Sequence, residues 1–299
     1  MRLFMIALLL TLAVPSQLTG QESSRQAPGQ RGGISPRNDP AVQNVAPFQI
    51  FDNLYYIGMQ WVSAYFLTTS DGLIMIDALY GQFVDHALDG IRKMGFDPAD
   101  IKYVFVTHGH FDHVGGAAAI KKVSGARVGM TDGDWKMVEA GGSGRRGGRA
   151  SSEPLERDLV IRDGDSITLG ETTFKFYETP GHTPGVLSME FTVYDNGKPH
   201  KAFTFGGVGL NFSGVERTEM YIASVKRLQA MEGIEVSVPN HASMGRVFQR
   251  AERLAERKPG EPHPFVAPED FQQWLDQLLV NVQKKLEEEK KREAEGSGR

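Results

Sequence analysis

Cysteine is absent from the 299-residue sequence, and neither sign of charge dominates it. Without cysteine the chain is neither a disulfide scaffold nor a cysteine-anchored lipoprotein, and an oxidising compartment poses no thiol problem. The 33 lysines and arginines nearly balance the 37 aspartates and glutamates, which gives a formal net charge of −4. Because no basic field attracts nucleic acid or an anionic membrane, neither is expected as a partner.

The sequence also lacks an apolar run long enough to span a bilayer. An apolar stretch at residues 3–14 follows Arg2, and this order is typical of a secretory signal. We therefore predict a signal peptide at residues 1–20, cleaved near Ser16 or Gly20, with an uncleaved anchor as the alternative. The mature protein is expected in the periplasm or outside the cell, without stable membrane insertion.

Residues 21–46 are rich in Gln, Ser, Arg, Gly and Pro and are predicted to form a flexible leader. A single domain is predicted over residues 47–299. Its strand-like runs and helical patterns occur as two successive strand-then-helix halves. This order indicates an α/β fold in which two sheets pack face to face with helices outside.

Two segments of this domain have unusual composition. Residues 141–149 are rich in Gly and Arg, which predicts a mobile loop that is either a surface linker or an active-site flap. From about Pro268 a C-terminal helix is predicted, with apolar residues at helical spacing followed by a run of Lys and Glu. Its first half is expected to dock on the domain and its second half to be solvated.

Four potential metal ligands lie within the six residues from 108 to 113, directly after the apolar run 103–106: they are His108, His110, Asp112 and His113. Residues two apart at the end of a strand point to one side, so one ion is predicted at the first two histidines. A turn, permitted by nearby glycines, brings the last two ligands round to a second ion.

Two further histidines each follow a predicted strand. His182 lies in the turn Pro180-Gly181-His182-Thr183-Pro184-Gly185, and His241 follows Pro239-Asn240. We predict one metal at His108, His110 and His182, and a second at Asp112, His113 and His241. The other three histidines, His86, His200 and His263, lack this context and are excluded from the site.

Three protein ligands per ion leave open positions, which is typical of catalytic zinc. A water shared by two such ions ionises near neutral pH and attacks a carbonyl carbon, while Asp112 is predicted to orient it and pass on its proton. Two Zn²⁺ are the predicted cofactors, with iron or manganese as alternatives.

With these motifs the chain resembles the metallo-β-lactamase superfamily over nearly all of residues 47–260, and its ligand set resembles the β-lactamase subclass with His-His-His and Asp-His-His zinc sites. The subclasses that use a cysteine ligand are excluded because the chain has none. The resemblance implies a four-layer αββα sandwich, a site at the shared edge of the two sheets, and hydrolysis of the amide in a β-lactam ring.

One segment departs from the family. Relatives that cleave thioesters, lactones or phosphodiesters usually carry an aspartate bridging both metals, whereas residues 203–209 here read Phe-Thr-Phe-Gly-Gly-Val-Gly. We therefore prefer a β-lactamase. Because the same segment also lacks the serines that many lactamases of this subclass use for the substrate carboxylate, we expect its turnover of β-lactams to be weak. Asn211 or Ser213 are candidate substitutes, and Trp61 is a candidate hydrophobic wall for a small-molecule substrate.

Two alternatives stay open. The first is a lactonase or other ester hydrolase of the same superfamily. The second is a zinc-binding interaction protein that uses the charged C-terminal helix as its partner surface, although a binding module has no need of open metal positions.

Overall fold

The strands form two sheets within residues 35–143 and 154–296, which are the residues described by this computed structural model. The first sheet has the order β1 to β7: β1 (Phe48–Phe51), β2 (Leu54–Tyr56), β3 (Tyr65–Thr69), β4 (Gly72–Ile76), β5 (Ile101–Phe105), β6 (Arg127–Met130) and β7 (Leu159–Val160). The second sheet has the order β12, β11, β10, β9, β8: β8 (Ser166–Leu169), β9 (Thr172–Glu178), β10 (Leu187–Asp195), β11 (Lys198–Thr204) and β12 (Val236–Ser237).

Both sheets mix strand directions. Strands β1 to β4 are antiparallel, and β4 to β7 are parallel. In the second sheet only β11 and β12 are parallel. The helices are α1 (Pro40–Gln43), α2 (Phe83–Lys93), α3 (Phe111–Val114), α4 (Ala117–Ser124), α5 (Asp132–Glu139), α6 (Val215–Gln229), α7 (Val247–Ala255) and α8 (Pro268–Gly296).

The side chains of β3 show how the layers form. Tyr65 and Leu67 lie in the apolar layer between the sheets, whereas Phe66 points to the opposite face. Because side chains alternate along a strand, one strand serves two cores. On the outer face of the first sheet Phe66 packs in one core with side chains of α2 and α4, and a third core joins the second sheet to α6 and α8. The predicted pair of sheets with helices outside is confirmed.

Several local features differ from the sequence prediction. The four-residue helix α3, which carries Asp112 and His113, was expected as a plain turn. Residues 36–43, assigned to the flexible leader, form helical turns, and the Gln43 side chain is buried, where it accepts a hydrogen bond from the Trp61 N–H at 3.0 Å.

The C-terminal helix α8 also differs from its prediction. It starts at Pro268 as expected, but its Lys/Glu half is not simply solvated. Glu289 is 7% exposed and accepts hydrogen bonds from the Gly214 N–H at 3.1 Å and the Thr218 hydroxyl at 2.5 Å, both at the start of α6. This carboxylate fastens the far half of α8 to the domain.

Other predictions fall outside the described residues. The signal peptide and most of the leader lie in residues 1–34, which are outside the described part of the chain. Residues 144–153, which include most of the Gly/Arg-rich loop, are also outside it. None of the helices that are described combines the length and the hydropathy needed to span a bilayer.

Candidate metal centre

The four clustered ligands lie just beyond the end of β5. His108 and His110 are on the connection that leaves the strand, and Asp112 and His113 are on α3 directly after it. Gly109 separates the two histidines, and a Cβ at this position would lie 2.9 Å from the Met137 side chain. A residue with a side chain here would therefore require the end of the Met137 side chain to move, and its Cβ would also lie 3.2 Å from the Asp134 carbonyl oxygen.

The first predicted ligand set converges on one point. The Nε2 atom of His182 lies 3.1 Å from Nε2 of His108 and 3.1 Å from Nδ1 of His110. Two nitrogens on one tetrahedral zinc are about 3.3 Å apart, because each Zn–N bond is about 2.0–2.1 Å. The three imidazoles are thus placed as ligands of a single ion.

The second set converges beside the first. Nε2 of His113 is 3.3 Å from Nε2 of His241 and 3.5 Å from Oδ2 of Asp112, and the same carboxylate oxygen is 3.9 Å from Nε2 of His241. The ring centroids of His108 and His113 are 4.2 Å apart, so the two sets are adjacent. Among the described residues, these six side chains form two groups that could each hold a metal ion.

In His182 and His241, the ring nitrogen that faces away from the metal position, Nδ1, is held by a backbone carbonyl group. Nδ1 of His182 donates to the Gly209 oxygen at 2.8 Å, and Nδ1 of His241 donates to the Trp61 oxygen at 3.0 Å. These bonds place the proton on Nδ1 and leave Nε2 free to bind a metal.

Burial keeps these imidazoles neutral. It lowers the pKa of His182 to about 3, with a further contribution from His110, and the pKa of His241 to about 4, with a contribution from His113. Burial also holds the pKa of His108 well below its ordinary value. A neutral imidazole is the form that binds a metal, so these three ligands are ready for metal at neutral pH.

Asp77 orients the second set, and the sequence analysis missed it. This fully buried residue follows β4 with a left-handed φ of 61°. Its carboxylate accepts hydrogen bonds from the Thr107 N–H at 2.7 Å, the Thr107 hydroxyl at 2.9 Å and Nδ1 of His113 at 2.7 Å. Burial alone lowers the pKa of His113, but Asp77 and Asp112 together raise it above its ordinary value. The one feature of the sequence that could have indicated Asp77 is its position as a lone carboxylate at the end of an apolar strand.

Asp134 on α5 joins the loop of His108 to the loop of His182. Its carboxylate accepts hydrogen bonds from the Gly109 N–H at 3.1 Å, the Thr183 hydroxyl at 2.9 Å and the Gly185 N–H at 3.2 Å. Burial raises the pKa of this carboxyl to about 6. No motif marks this residue in the sequence, because its partners are distant in the chain.

Arg217 and Asn240 also fix these loops. Arg217 Nε donates to the Gly181 oxygen at 2.6 Å, and its guanidinium also donates to the His182 carbonyl. Asn240 Nδ2 donates to the Gly206 oxygen at 2.8 Å. The loops that carry His182 and His241 are therefore hydrogen-bonded to neighbouring side chains or backbone.

Trp61 lies beside His241, with ring centroids 5.5 Å apart, and is partly buried. The guanidinium of Arg37 stacks over the indole at 4.2 Å, and the Arg37 carbonyl accepts a hydrogen bond from the Tyr80 hydroxyl at 2.6 Å. The indole is therefore close enough to border the second ligand set. Its contact with substrate stays a prediction.

The other two candidate substrate residues lie near the first ligand set. Asn211 and Ser213 are exposed on either side of buried Phe212, whose ring centroid is 6.4 Å from that of His182. Their contact with substrate likewise stays a prediction.

The glycines of residues 203–209, the segment that has no bridging aspartate, are closely packed. A Cβ at Gly206 would collide with the Leu187 carbonyl oxygen, and a Cβ at Gly207 would lie 2.9 Å from Val186 and 3.0 Å from the His182 side chain. A side chain at Gly206 would therefore require the main chain to move, whereas at Gly207 the side chains of Val186 and His182 would have to move.

The three excluded histidines are engaged elsewhere. Nε2 of His86 contacts the Val45 oxygen at 2.9 Å, Nδ1 of His200 contacts Glu235 at 3.1 Å, and Nε2 of His263 contacts the Ile50 oxygen at 2.9 Å. None of them belongs to either ligand group.

Comparison with known proteins supports the same assignment. The family model of the metallo-beta-lactamase superfamily matches residues 61–195. A solved subclass B3 metallo-beta-lactamase of Bradyrhizobium japonicum is 33% identical with a TM-score of 0.74, over 82% of this chain and 95% of that one. A metallo-beta-lactamase from Legionella gormanii is 27% identical with a TM-score of 0.75, over 82% and 97% of the two chains.

Curated relatives match over shorter stretches. A hydroxyacylglutathione hydrolase of Pseudomonas paraeruginosa is 37% identical over 85 residues, which are 28% of this chain and 26% of that protein. Another from Pseudomonas putida is 27% identical over 172 residues, 50% of this chain and 58% of that protein. The matches thus span between a quarter and three fifths of these relatives.

The chain belongs to the metallo-beta-lactamase superfamily, and its fold and two ligand groups define a hydrolase of that class. Its solved neighbours include subclass B3 metallo-beta-lactamases, which confirms the predicted resemblance.

Proposed function

We propose that the protein is a dinuclear zinc hydrolase that opens the amide of β-lactam rings. The observation that carries the proposal is the pairing of two complete ligand sets with a segment, residues 203–209, that carries no carboxylate to bridge them. Similarity to solved β-lactamases over 82% of the chain supports it.

The donor atoms favour zinc at both positions. The first set offers three imidazole nitrogens and the second offers two nitrogens and one carboxylate oxygen. Imidazole and carboxylate donors in sets of three are typical of catalytic zinc with an open position. When bound, two zinc ions supply a water that ionises near neutral pH and stabilise the oxyanion that forms from the carbonyl group.

Asp112 is the proposed catalytic residue. Its side chain is only 9% exposed and lies at the centre of the second set. A carboxylate in this place orients the attacking water and takes up its proton for delivery to the amide nitrogen. Asp77 holds the ring of His113 through a 2.7 Å bond, so that the second ligand set keeps its geometry during the reaction.

Arg37 is the proposed anchor for the substrate carboxylate. β-Lactams carry a carboxylate beside the ring, but glycines occupy positions 206, 207 and 209, where no side chain can bind it. Arg37 is exposed above Trp61, and its charge lowers the pKa of His241, which places it near the second ligand set. The indole would contact the apolar part of the same substrate.

A second candidate is hydrolysis of the thioester in a hydroxyacylglutathione. Its support is the similarity to hydroxyacylglutathione hydrolases, which reaches 37% identity over 85 residues. The absence of a carboxylate from residues 203–209 counts against it, because hydrolases of thioesters in this family usually use a bridging aspartate.

The test is a comparison of substrates with the zinc-loaded protein. We expect turnover of nitrocefin, a penicillin or a carbapenem that is abolished by a chelator and restored by zinc. S-lactoylglutathione and an acyl-homoserine lactone are the competing substrates. Zinc-dependent turnover of either one without turnover of any β-lactam would refute the proposal, and two tightly held ions with no activity would favour a binding protein.

A further inference from the structure

A pocket apart from the metal centre lies between the C-terminal helix α8 and the turn that precedes α7. Its volume is about 230 Å³. None of the six metal ligands lines it. The residues that line it include Arg246, Arg250, Asp270, Phe205, Phe271 and Trp274. Val208 and Pro239 also line it.

One side of the pocket carries a net positive charge. Arg246 and Arg250 each donate a 2.6 Å hydrogen bond to the same oxygen of Asp270. Two guanidinium groups thus share one carboxylate, so one positive charge is not neutralised within this cluster.

Arg250 is only 5% exposed, and its Nε atom has no hydrogen-bond partner among the described residues. An unpaired buried donor is unfavourable. In addition, no side chain caps the N-terminus of α7 at Arg246, and the positive end of a helix favours an anion. Both features point to a ligand with one negative group.

The opposite side is apolar and aromatic. The ring of Trp274 lies 5.9 Å from that of Phe205 and 6.2 Å from that of Phe271. A cavity of about 150 Å³ accommodates benzene, so this pocket has room for one ring and a carboxylate. A phosphate would leave the aromatic wall without contacts, and a peptide would exceed the volume.

We propose that this pocket binds a small organic anion, namely a monocarboxylate with a single aromatic ring. The carboxylate pairs with Arg246 and Arg250, and the ring packs on Trp274 and Phe271. This proposal does not depend on the reaction at the metal centre.

The site is separate from the metal centre but adjoins the loops that support it. Val208 precedes Gly209, whose carbonyl accepts a hydrogen bond from His182. Pro239 precedes Asn240, the residue next to His241. Because a carboxylate could also bind zinc, the test must show which of the two sites a probe occupies.

The three tryptophans of the chain make this distinction possible. Trp61 lies at the metal centre, Trp135 lies in the core, and Trp274 lines the pocket. We would titrate the zinc-loaded, ¹⁵N-labelled protein with phenylacetate and follow the three indole N–H signals, assigned with single Trp→Phe variants. The neutral isostere phenylacetamide is the matched probe.

We expect phenylacetate to shift the Trp274 signal in a saturable manner, with a Kd of about 1 mM, which is usual for a ligand of about ten heavy atoms. Phenylacetamide should bind about fivefold more weakly or not at all, because it lacks the charge. A shift of the Trp61 signal alone, or no shift up to the solubility limit, would overturn the proposal.

The variant Arg246→Asn tests the anchor. The Arg246 side chain is 66% exposed and its φ is 52°, a conformation that asparagine tolerates, so the variant should fold. We expect Kd to rise about fivefold. Arg253→Gln removes an exposed charge from the same helix without touching the pocket, and it should leave Kd unchanged. Equal losses in both variants would overturn the specific pairing.

Discussion

The replacement Asp77→Asn offers a sharp test of how the second ligand set is held. The carboxylate of Asp77 accepts hydrogen bonds from the Thr107 N–H, the Thr107 hydroxyl and Nδ1 of His113. An asparagine has the same shape but presents an N–H group to one side. If this N–H faces His113, Nδ1 must accept a hydrogen bond, and the proton of the ring moves to Nε2, the atom that binds the metal.

Asp77→Asn should weaken metal binding more than it destabilises the fold. The Thr107 N–H keeps its partner, the hydroxyl can rotate, and the ring can change tautomer, so the free energy of unfolding of the metal-free protein should fall by about 1 kcal/mol. Loss of an outer hydrogen-bond partner lowers metal affinity by about 10–100-fold, or about 1.4–2.8 kcal/mol. The second ion should therefore bind about 10–100-fold more weakly while the fold persists.

The assay is a zinc titration in competition with a chromophoric chelator, with urea denaturation of the metal-free protein alongside. Asp71→Asn at the opposite end of β4 changes the same functional group at an exposed position and is the control. We expect this control to bind two ions as the wild type does. If Asp77→Asn also binds the second ion with wild-type affinity, Asp77 does not set the tautomer of His113, and the reasoning is refuted.

Four further outcomes are expected. Asp112→Asn should lower kcat/KM for nitrocefin by about 100-fold or more, and a smaller loss would exclude it as the proton acceptor. Arg37→Ala should raise KM up to about fivefold at unchanged kcat, and an equal effect with a β-lactam methyl ester would contradict its role at the carboxylate. Asp134→Ala leaves three donors without a partner and should lower the free energy of unfolding by about 3 kcal/mol in urea. Because the pKa values of His182 and His241 lie below the ordinary value of 6.5, the unfolded metal-free chain binds more protons as the pH falls from 6.5 toward 4. Between pH 7 and pH 5 the two histidines together should lower its stability by about 4 kcal/mol, and the raised pKa of Asp134, about 6, offsets about 1 kcal/mol of this. The net loss should therefore be about 2–3 kcal/mol, and equal stability at the two pH values would count against these shifts.

The metal ligands could be predicted because each follows a recognisable strand, and His108, His110, Asp112 and His113 lie together in the sequence. The residues that orient them could not. Asp134 acts on Gly109 and Gly185, which are 25 and 51 positions away, and only the folded chain brings these groups together. A single carboxylate outside a motif gives no sign of such a role.

The layers of the fold were predictable from alternating apolar residues, but element ends were less so. Helix α6 begins at Val215, directly after Gly214 with its φ of 109°, and no side-chain cap marks this start. The solvated end predicted for α8 overlooked Glu289, whose partners on α6 are not visible in a run of Lys and Glu.

The closed packing around Gly206 has a consequence for how such enzymes can diverge. Because the obstacle at this position is the Leu187 carbonyl, which belongs to the main chain, repacking of side chains cannot remove it. An aspartate at position 206 would therefore require strand β10 to shift at its start. At positions 207 and 209 the neighbouring atoms belong to side chains, so a carboxylate enters this segment at lower structural cost there than at Gly206.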